Sequence, residues 1–438
     1  MRKLFIGIII STVIWSCKPV ETNEVGLANP KFYHNSVKKL SDVIVYDIFS
    51  PPVASRNYAY PNIAAYEVLA NTSDQYESLS GQITGFSAGP SLPEDEISPA
   101  VASIEAFITT AKHFIFSEQK LLSYQKELYQ ELKEQGISKK VLNNSIAYGK
   151  AMAAHVINYS DSDNYKQTRT FPKYSVTSDP DKWKPTPPGY MDGIEPHWRE
   201  IRSFVLDSAN QFVPPPPTTF DMTEGSKFYN ETMEVYDVVT NHTDETKEIA
   251  SFWDCNPYVL NVTGHVMHAT KKITPGGHWI GITALACEKA GADFGKTIEA
   301  YTLTSIALAD GFISCWDEKY RSNLVRPETV INEYIDENWI PTLQTPPFPE
   351  HTSGHSVISR AAAVALTSIF GDNFSFDDTV ELEYGLPVRS FESFYAASEE
   401  AAVSRLYGGI HYRPAIDYGV SQGEQVGKLI VERLTLSK

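Results

Sequence analysis

The stretch PFPEHTSGHSVISRAAAVALTSIFG, residues 347–371, decides how the rest of the chain is read. A proline-rich loop turns into a helix at Ser353, Gly354 and His355. Ile358, Ala362, Ala365, Leu366, Ile369 and Phe370 then recur at helical spacing, and Gly371 is a natural stop. A helix start carries unpaired backbone N–H groups and the positive end of the helix dipole. Small residues there allow a tetrahedral oxyanion to approach closely, so this is an anion seat with a histidine beside it.

Two further stretches make sense as partners of that seat. In GFISCWDEKYRSNLVRP, residues 311–327, Trp316, Lys319, Asn323 and Arg326 are spaced to share one helical face, with Pro327 placing Arg326 near the helix end. In SEEAAVSRLYGGIHYRPAIDYG, residues 398–419, Ser398 with Glu399 and Glu400 marks a helix start, and Gly408-Gly409 ends it. Arg405 lies on the last turns, His411 on the turn that follows, and Pro414 suits the first turn of the final helix. Together the stretches supply Lys319, Arg326 and Arg405 as cations, Ser353 and Gly354 as neutral donors, and His355 and His411 as acid–base or ligand groups. A three-oxygen anion asks for such a set.

Length and composition bound the reading. The chain has 438 residues, 42% hydrophobic and 21% charged, and a net charge of −17. That composition is ordinary for a folded protein, and the acidity argues against nucleic acid or an anionic membrane surface as partner. Arg2 and Lys3 precede an apolar run from Leu4 to Trp15, then Ser16-Cys17. This reads as a secretory signal, too short for a spanning helix, with Cys17 as the lipid-bearing residue of a bacterial lipoprotein or, alternatively, simple secretion. The expected location is the cell envelope or outside it. Cys255, Cys287 and Cys315 lie in apolar surroundings and read by default as buried thiols, a single disulfide outside the cytoplasm being the alternative, with no pair singled out; none has zinc-site spacing.

The expected organisation is a signal over 1–17, a tether over 18–30 and one helical body over 31–438. Helical segments are expected at 58–71, 97–115, 117–135, 138–159, 224–240, 243–255, 257–271, 277–289, 293–325, 355–370, 396–408 and 415–436. Residues 160–220, with KWKPTPPGY and QFVPPPPTTF, read as a long irregular segment running over the body. The fold class is all-α, a helical bundle. His113 and His155 read as core histidines, His351 as a solvent-facing loop residue, His278 as local structure. His265 and His268, a helical turn apart, are weak as a metal pair.

Lysine, six residues, then Arg-Pro; Ser-Gly-His before a helix; and Ser-Arg, five residues, then His: these three signatures resemble the acid phosphatase and vanadium haloperoxidase superfamily. Here they are Lys319 to Arg326-Pro327, Ser353-Gly354-His355, and Ser404-Arg405 to His411, within residues 316–417. The resemblance implies a helical bundle with vanadate held by Lys319, Arg326, Ser353, Gly354, His355 and Arg405, and His411 as the metal ligand. It also implies a pocket for halide and hydrogen peroxide containing Trp316, Phe348 and Tyr258. The pattern is similar to the bacterial iodoperoxidases, so the implied activity is peroxide-driven oxidation of iodide, with bromide as a second halide. The alternative within the superfamily is a phosphatase working through a phosphohistidine at His411; a non-catalytic helical binding lipoprotein ranks below both. Two departures stand out: Thr352 where the superfamily usually has proline, and Ala415 where phosphatases often have the acid that orients the second histidine, with Asp417 two further on.

Overall fold

The computed structural model describes residues 24–263, 266–269 and 271–438, with side chains left aside over 261–270. Residues 1–23, with the expected signal and Cys17, lie outside the described residues.

In chain order the helices are α1 (Glu24–Leu27), α2 (Pro30–Asp47), α3 (Pro51–Thr72), α4 (Pro99–His113), α5 (Glu118–Glu134), α6 (Lys139–Ser160), α7 (Tyr165–Thr168), α8 (Lys227–Thr240), α9 (Asp244–Phe252), α10 (Pro275–Ala290), α11 (Phe294–Ser322), α12 (Pro327–Tyr334), α13 (Gly354–Phe370), α14 (Phe394–Tyr407) and α15 (Arg413–Arg433). Two short antiparallel pairs, β1 (Leu260–Thr263) with β2 (Val266–Ala269) and β3 (Phe376–Asp378) with β4 (Arg389–Phe391), and two 3-10 turns, Trp198–Glu200 and Val380–Tyr384, complete the regular structure described. The all-α expectation is met.

The bundle is built around α3, α11 and α13. Helix α11 is buried without interruption from Thr297 to Lys319, so it has no solvent face and acts as the axis for its neighbours. Helices α3 and α13 pack along it, α4 and α6 extend the α3 side, and α14 and α15 extend the α13 side. Helix starts follow capping chemistry. Ser50, Ser138, Thr274, Asp293, Ser353 and Ser393 each accept the N–H of a residue three positions on.

Several expectations are corrected. The tether was expected to run to residue 30, yet Glu24–Leu27 is a helical turn with Leu27 fully buried. Helix α2 starts at Pro30, capped by Asn29. The expected helix over 257–271 is the β1–β2 hairpin. Its β-branched Val259, Val262, Thr263 and Val266 favour extended backbone. His268 therefore lies on a strand, and His265 lies outside the described residues. Helix α11 ends at Ser322, with Asn323 in the left-handed region at φ 52. Only Trp316 and Lys319 share a helical face, and Arg326 caps the separate helix α12. Helix α14 begins after Ser393, ahead of the expected Ser398 start. His113 is exposed, 3.4 Å from Asp161, and is no core residue. His155 is half-buried, bonded to the Ser87 carbonyl.

The proline-rich segment does run over the body. The Asp310 carboxylate, fully buried on α11, accepts the N–H groups of Phe204, Val205 and Leu206 at 2.8, 2.7 and 3.1 Å. The Ile194 carbonyl accepts from Trp316 Nε1 and the Tyr320 hydroxyl, and Ile194 N–H donates to Pro347. His351, expected to face solvent, is 1% exposed because Pro215 lies over it and accepts from its Nε2 side at 3.1 Å. Burial lowers its pKa to about 4.

Helices α13 and α15 meet nearly backbone to backbone. Gly419, Gly423 and Gly427, four residues apart, form a seam on α15. A Cβ at Gly423 would stand 2.1 Å from the Val357 carbonyl oxygen, and one at Gly419 would stand 3.1 Å from that of Ser353. The seam fixes the start of α13, the expected anion seat. We expect Gly423→Ala to destabilise the protein by about 1–3 kcal/mol through overpacking against main chain that has nowhere to go. Gln425→Ala on the solvent side of α15 should change stability by less than about 0.5 kcal/mol. Urea midpoints measure both, and equal midpoints for the two variants would refute the seam's role.

Candidate functional site

The loop 346–352 sits between the end of α11 and the start of α13, and main-chain bonds pin it. Glu350 N–H donates to Leu324 O at 3.0 Å, and Ser353 N–H donates to Ala415 O at 2.9 Å. Lys319, fully buried on the last turn of α11, reaches into this loop. Its Nζ donates to the carbonyls of Pro349, Glu350 and Thr352 at 3.0, 3.0 and 2.6 Å. Arg326, also fully buried, ties two loops together. Its Nε donates to Phe348 O at 2.9 Å and its Nη1 to Ile410 O at 2.7 Å. Arg405, on α14, donates through Nη1 to Trp253 O at 2.8 Å.

Two histidines complete the set. Arg326 Nη1 stands 3.1 Å from His411 Nε2. A guanidinium has no acceptor, so Nε2 of His411 carries the lone pair and Nδ1 the proton. That proton points to Glu350 Oε1 at 2.8 Å, which also accepts the Tyr412 N–H at 3.0 Å. Glu350 thus takes the orienting role that the sequence pattern left vacant at Ala415. Ala415 contributes its backbone carbonyl to Ser353 instead. His355, on the first turn of α13, bonds to the Trp253 carbonyl and leaves Nε2 with no protein partner.

Burial shapes the electrostatics. It lowers the pKa of Lys319 to about 7 and that of Arg326 to about 10, and it lowers Arg405 as well. It lowers both His355 and His411 well below the ordinary histidine value, with Arg405 and Arg326 respectively as the next cause, so both rings are neutral at pH 7. Burial raises Glu350 to about 7 while Arg326 and Lys319 pull the other way. Desolvated cations crowded together are relieved by an anion. Three buried nitrogens lack a protein partner: Arg326 Nη2, Arg405 Nε and His355 Nε2. The Arg326 and Arg405 nitrogens are unpaired buried donors that ask for an acceptor, while neutral His355, whose other nitrogen donates to the Trp253 carbonyl, offers a lone pair at Nε2.

A small cavity of about 30 Å³ lies at this place. Tyr258, Trp316, Phe348, Gly354, His355, Arg405 and His411 line it, which brings together seven of the expected residues. Lys319, Arg326 and Ser353 stand behind this wall. Ser353 Oγ caps α13 by accepting the Ser356 N–H at 3.3 Å. Trp316 and Phe348 pack at 4.9 Å between ring centres, and Lys319 Nζ and the Arg326 guanidinium each sit 5.1 Å from the Phe348 ring centre. The wall is aromatic, with the charges set behind it. A Cβ at Gly354 would meet only Trp316 and Lys319 side-chain atoms, at 3.7 and 4.0 Å, so the glycine leaves open space beside the α13 N-terminus. Chemically, the arrangement is able to hold a tetrahedral oxyanion against a neutral imidazole lone pair, with a second imidazole nitrogen free to exchange a proton.

Sequence reasoning missed Glu350 and the Trp253 carbonyl. A carboxylate three residues before Ser353, inside an otherwise uncharged loop, was a signal for Glu350; a backbone carbonyl leaves none.

Residues 299–437 match the family model described as the VCPO second helical-bundle domain. A crystal structure of a bacterial vanadium-dependent iodoperoxidase is 52% identical, with a TM-score of 0.89 over 94% of this chain and 98% of that one. Apo and holo crystal structures of bacterial vanadium-dependent chloroperoxidase share the fold. They are 17% and 16% identical, with TM-scores of 0.66 and 0.64, and the matches cover 88% and 96% of this chain and 94% and 96% of those chains. No curated protein sequence matches the chain.

Only the ammonium form of Lys319 attracts an anion, so oxyanion affinity should be full below about pH 7 and fall above it. Glu350 gains charge across the same window and adds to the fall. Sulfate keeps a constant charge there and is the suitable probe. Calorimetry should show sulfate affinity dropping up to about tenfold per pH unit above 7, with a shallower slope in Lys319→Met. A flat profile in the parent protein would remove the argument.

Proposed function

The chain belongs to the vanadium-dependent haloperoxidases, and from that membership we propose that it uses hydrogen peroxide to oxidise a halide, iodide foremost and bromide as a second substrate. The overall reaction is H2O2 + X⁻ + H⁺ → HOX + H2O. The observation that carries the reading is the unpartnered buried nitrogens of Arg405 and His355 gathered with the His411 ring at one cavity, with the unpartnered Arg326 Nη2 set behind its wall. That donor set fits vanadate, a tetrahedral oxyanion whose metal accepts one imidazole nitrogen.

In this reading His411 holds the cofactor through Nε2. Glu350 keeps the proton on Nδ1 so that Nε2 keeps its lone pair, which would pass from the Arg326 Nη1 donor at 3.1 Å to the cofactor. Arg326, Arg405 and Lys319 balance the oxyanion charge, and Ser353 and Gly354 offer neutral donors at the α13 N-terminus. Bound vanadate supplies a Lewis acid that polarises peroxide toward attack by halide. His355 Nε2 exchanges the proton with peroxide, since its ring is neutral and unpaired there. Trp316, Phe348 and Tyr258 present an aromatic wall suited to a polarisable halide. The iodide preference rests on that wall and on the 52% identity to an iodoperoxidase.

Location is inferred from the first residues alone. The basic start, apolar run and Ser16-Cys17 support export to the cell envelope with Cys17 acylated. Mass spectrometry of envelope protein should find a lipid-modified Cys17 at the N-terminus; an unmodified Cys17 there would leave secretion without an anchor.

Purified apoprotein given vanadate, peroxide and each halide in turn should oxidise iodide fastest. His411→Ala should lose vanadium and peroxidase activity together. His355→Ala should retain vanadium but lose at least about 10²-fold in turnover, the usual share of a proton-transfer group. Arg405→Ala should weaken vanadate binding by roughly 10–100-fold, as loss of one charge-assisted donor does. An apoprotein that ignores halides with vanadate present, yet hydrolyses phosphomonoesters through a phosphohistidine at His411, would replace this reading with phosphatase chemistry.

A further inference from the structure

A second group of side chains lies against the same cavity, and the cavity chemistry above does not use it. Cys255 Sγ stands 3.4 Å from His278 Nδ1 and 3.8 Å from Glu381 Oε1, and those last two atoms are 3.1 Å apart. All three residues are buried, at 2%, 0% and 2% exposure. The other nitrogen of His278, Nε2, is 2.8 Å from Asp378 Oδ2, and Asp378 is fully buried too.

We propose that Cys255, His278 and Glu381 bind a divalent cation, zinc by ligand chemistry, with Asp378 orienting the histidine from behind. Geometry is the first support. Zinc bonds of about 2.3 Å to sulfur and 2.0–2.1 Å to nitrogen or oxygen, at tetrahedral angles, place ligand atoms about 3.3–3.6 Å apart. The three edges here straddle that range without movement of the backbone. The second support is the Asp378 carboxylate on the far nitrogen. A metal-bound histidine is commonly held by such a partner, which fixes the tautomer that turns the other nitrogen to the metal. Nε2 then carries the proton toward Asp378, and Nδ1 offers a lone pair toward Cys255 and Glu381.

Charge is compatible with the same centre. Asp378 and Glu381 are two buried carboxylates, and among the described residues no lysine or arginine forms an ion pair with either. Even a protonated His278 leaves the group one negative charge in excess, in a dry interior where unpaired charge is costly. A divalent cation with a thiolate, a carboxylate and a neutral imidazole makes a neutral centre and leaves Asp378 as the one negative charge, held by the His278 Nε2 proton; the total equals that of the imidazolium form, so charge does not oppose the cation. Binding releases the Cys255 proton, so the thiol becomes a ligand despite a pKa that burial otherwise pushes up to about 11.

Position gives the site a purpose. Its members come from four places: Cys255 just after α9, His278 on α10, Asp378 on β3, and Glu381 in the 3-10 turn Val380–Tyr384. No linear spacing announces such a site, which is why the sequence reads as lacking one. The Trp253 indole stacks on the His278 ring at 4.6 Å and 19°, and the Trp253 carbonyl holds Arg405 and His355. Cys255 itself lines the cavity. The cation therefore staples the wall that positions two cavity groups, and it converts a thiol facing an oxidising chamber into a bound ligand.

The proposal stands apart from the vanadate reading, and the test keeps the two separate. The untagged full chain, purified under reductant without chelator, should contain about one equivalent of zinc by elemental analysis. Exchange for cobalt should give the near-ultraviolet thiolate-to-metal absorption. Both signals should be lost in Cys255→Ser. Glu381→Gln, which keeps side-chain volume, should lower zinc affinity at least about tenfold, and it serves if the serine variant does not fold. His411→Ala should keep the full zinc content. Zinc below about a tenth of an equivalent after supply of the metal, with no cobalt–thiolate band, overturns the site. Zinc that disappears in His411→Ala instead belongs to the oxyanion cavity and also overturns it.

Discussion

Everything at the site depends on how three cations are kept inside an acidic protein. Lys319, Arg326 and Arg405 are at most 2% exposed, and among the described residues their hydrogen-bond partners are main-chain carbonyls and the His411 ring, with the Phe348 ring also 5.1 Å from Lys319 and Arg326. Carbonyl dipoles solvate a cation without cancelling its charge, as a carboxylate would. The charge therefore stays available to an incoming anion. The loops that present those carbonyls are fixed in turn by main-chain bonds to Leu324 and Ala415. The pinned loops, the buried α11 and the close α13–α15 contact are parts of one arrangement that keeps positive charge in a dry place, only partly compensated by Glu350.

Much of this was legible in the sequence. Helical periodicity placed the bundle, and three short motifs placed Lys319, Arg326, Ser353, Gly354, His355, Arg405 and His411, which the fold does bring together. What escaped has a common cause. Asn323 and Arg326 kept helical spacing past the end of α11, but spacing does not reveal a residue turning left-handed at the C-cap. The β1–β2 hairpin lost to a helical pattern because a run of about ten apolar and polar residues fits either period. His351 looked exposed because its cover, Pro215, is 136 residues away. Glu350 and the Trp253 carbonyl act through contacts at long sequence separation, and periodicity and motif spacing are local.

The irregular segment 160–220 illustrates the same limit from the other side. Its composition forecast a loop over the body. It did not forecast that Asp310, deep on the central helix, would hold three consecutive N–H groups of that loop, or that Ile194 would support Trp316 and Tyr320. A buried carboxylate collecting several backbone donors anchors irregular chain as firmly as a ladder does, because it satisfies main-chain groups that would otherwise be stranded. The aromatic wall of the cavity is thus backed by chain with no repeating structure.

The glycine seam has a consequence for how the site is free to vary. His355 sits on the first turn of α13 and His411 two residues before α15, and those helices touch through main-chain atoms. The offset between the two imidazoles is therefore set by atomic radii of the backbone, the least adjustable lengths a protein has. Drift in core side chains elsewhere, where larger and smaller residues exchange, is weakly transmitted across a joint whose α15 side has no side chain at Gly419, Gly423 and Gly427. The aromatic and polar residues around the cavity can diverge, and with them what the cavity admits, while the two rings keep their interval.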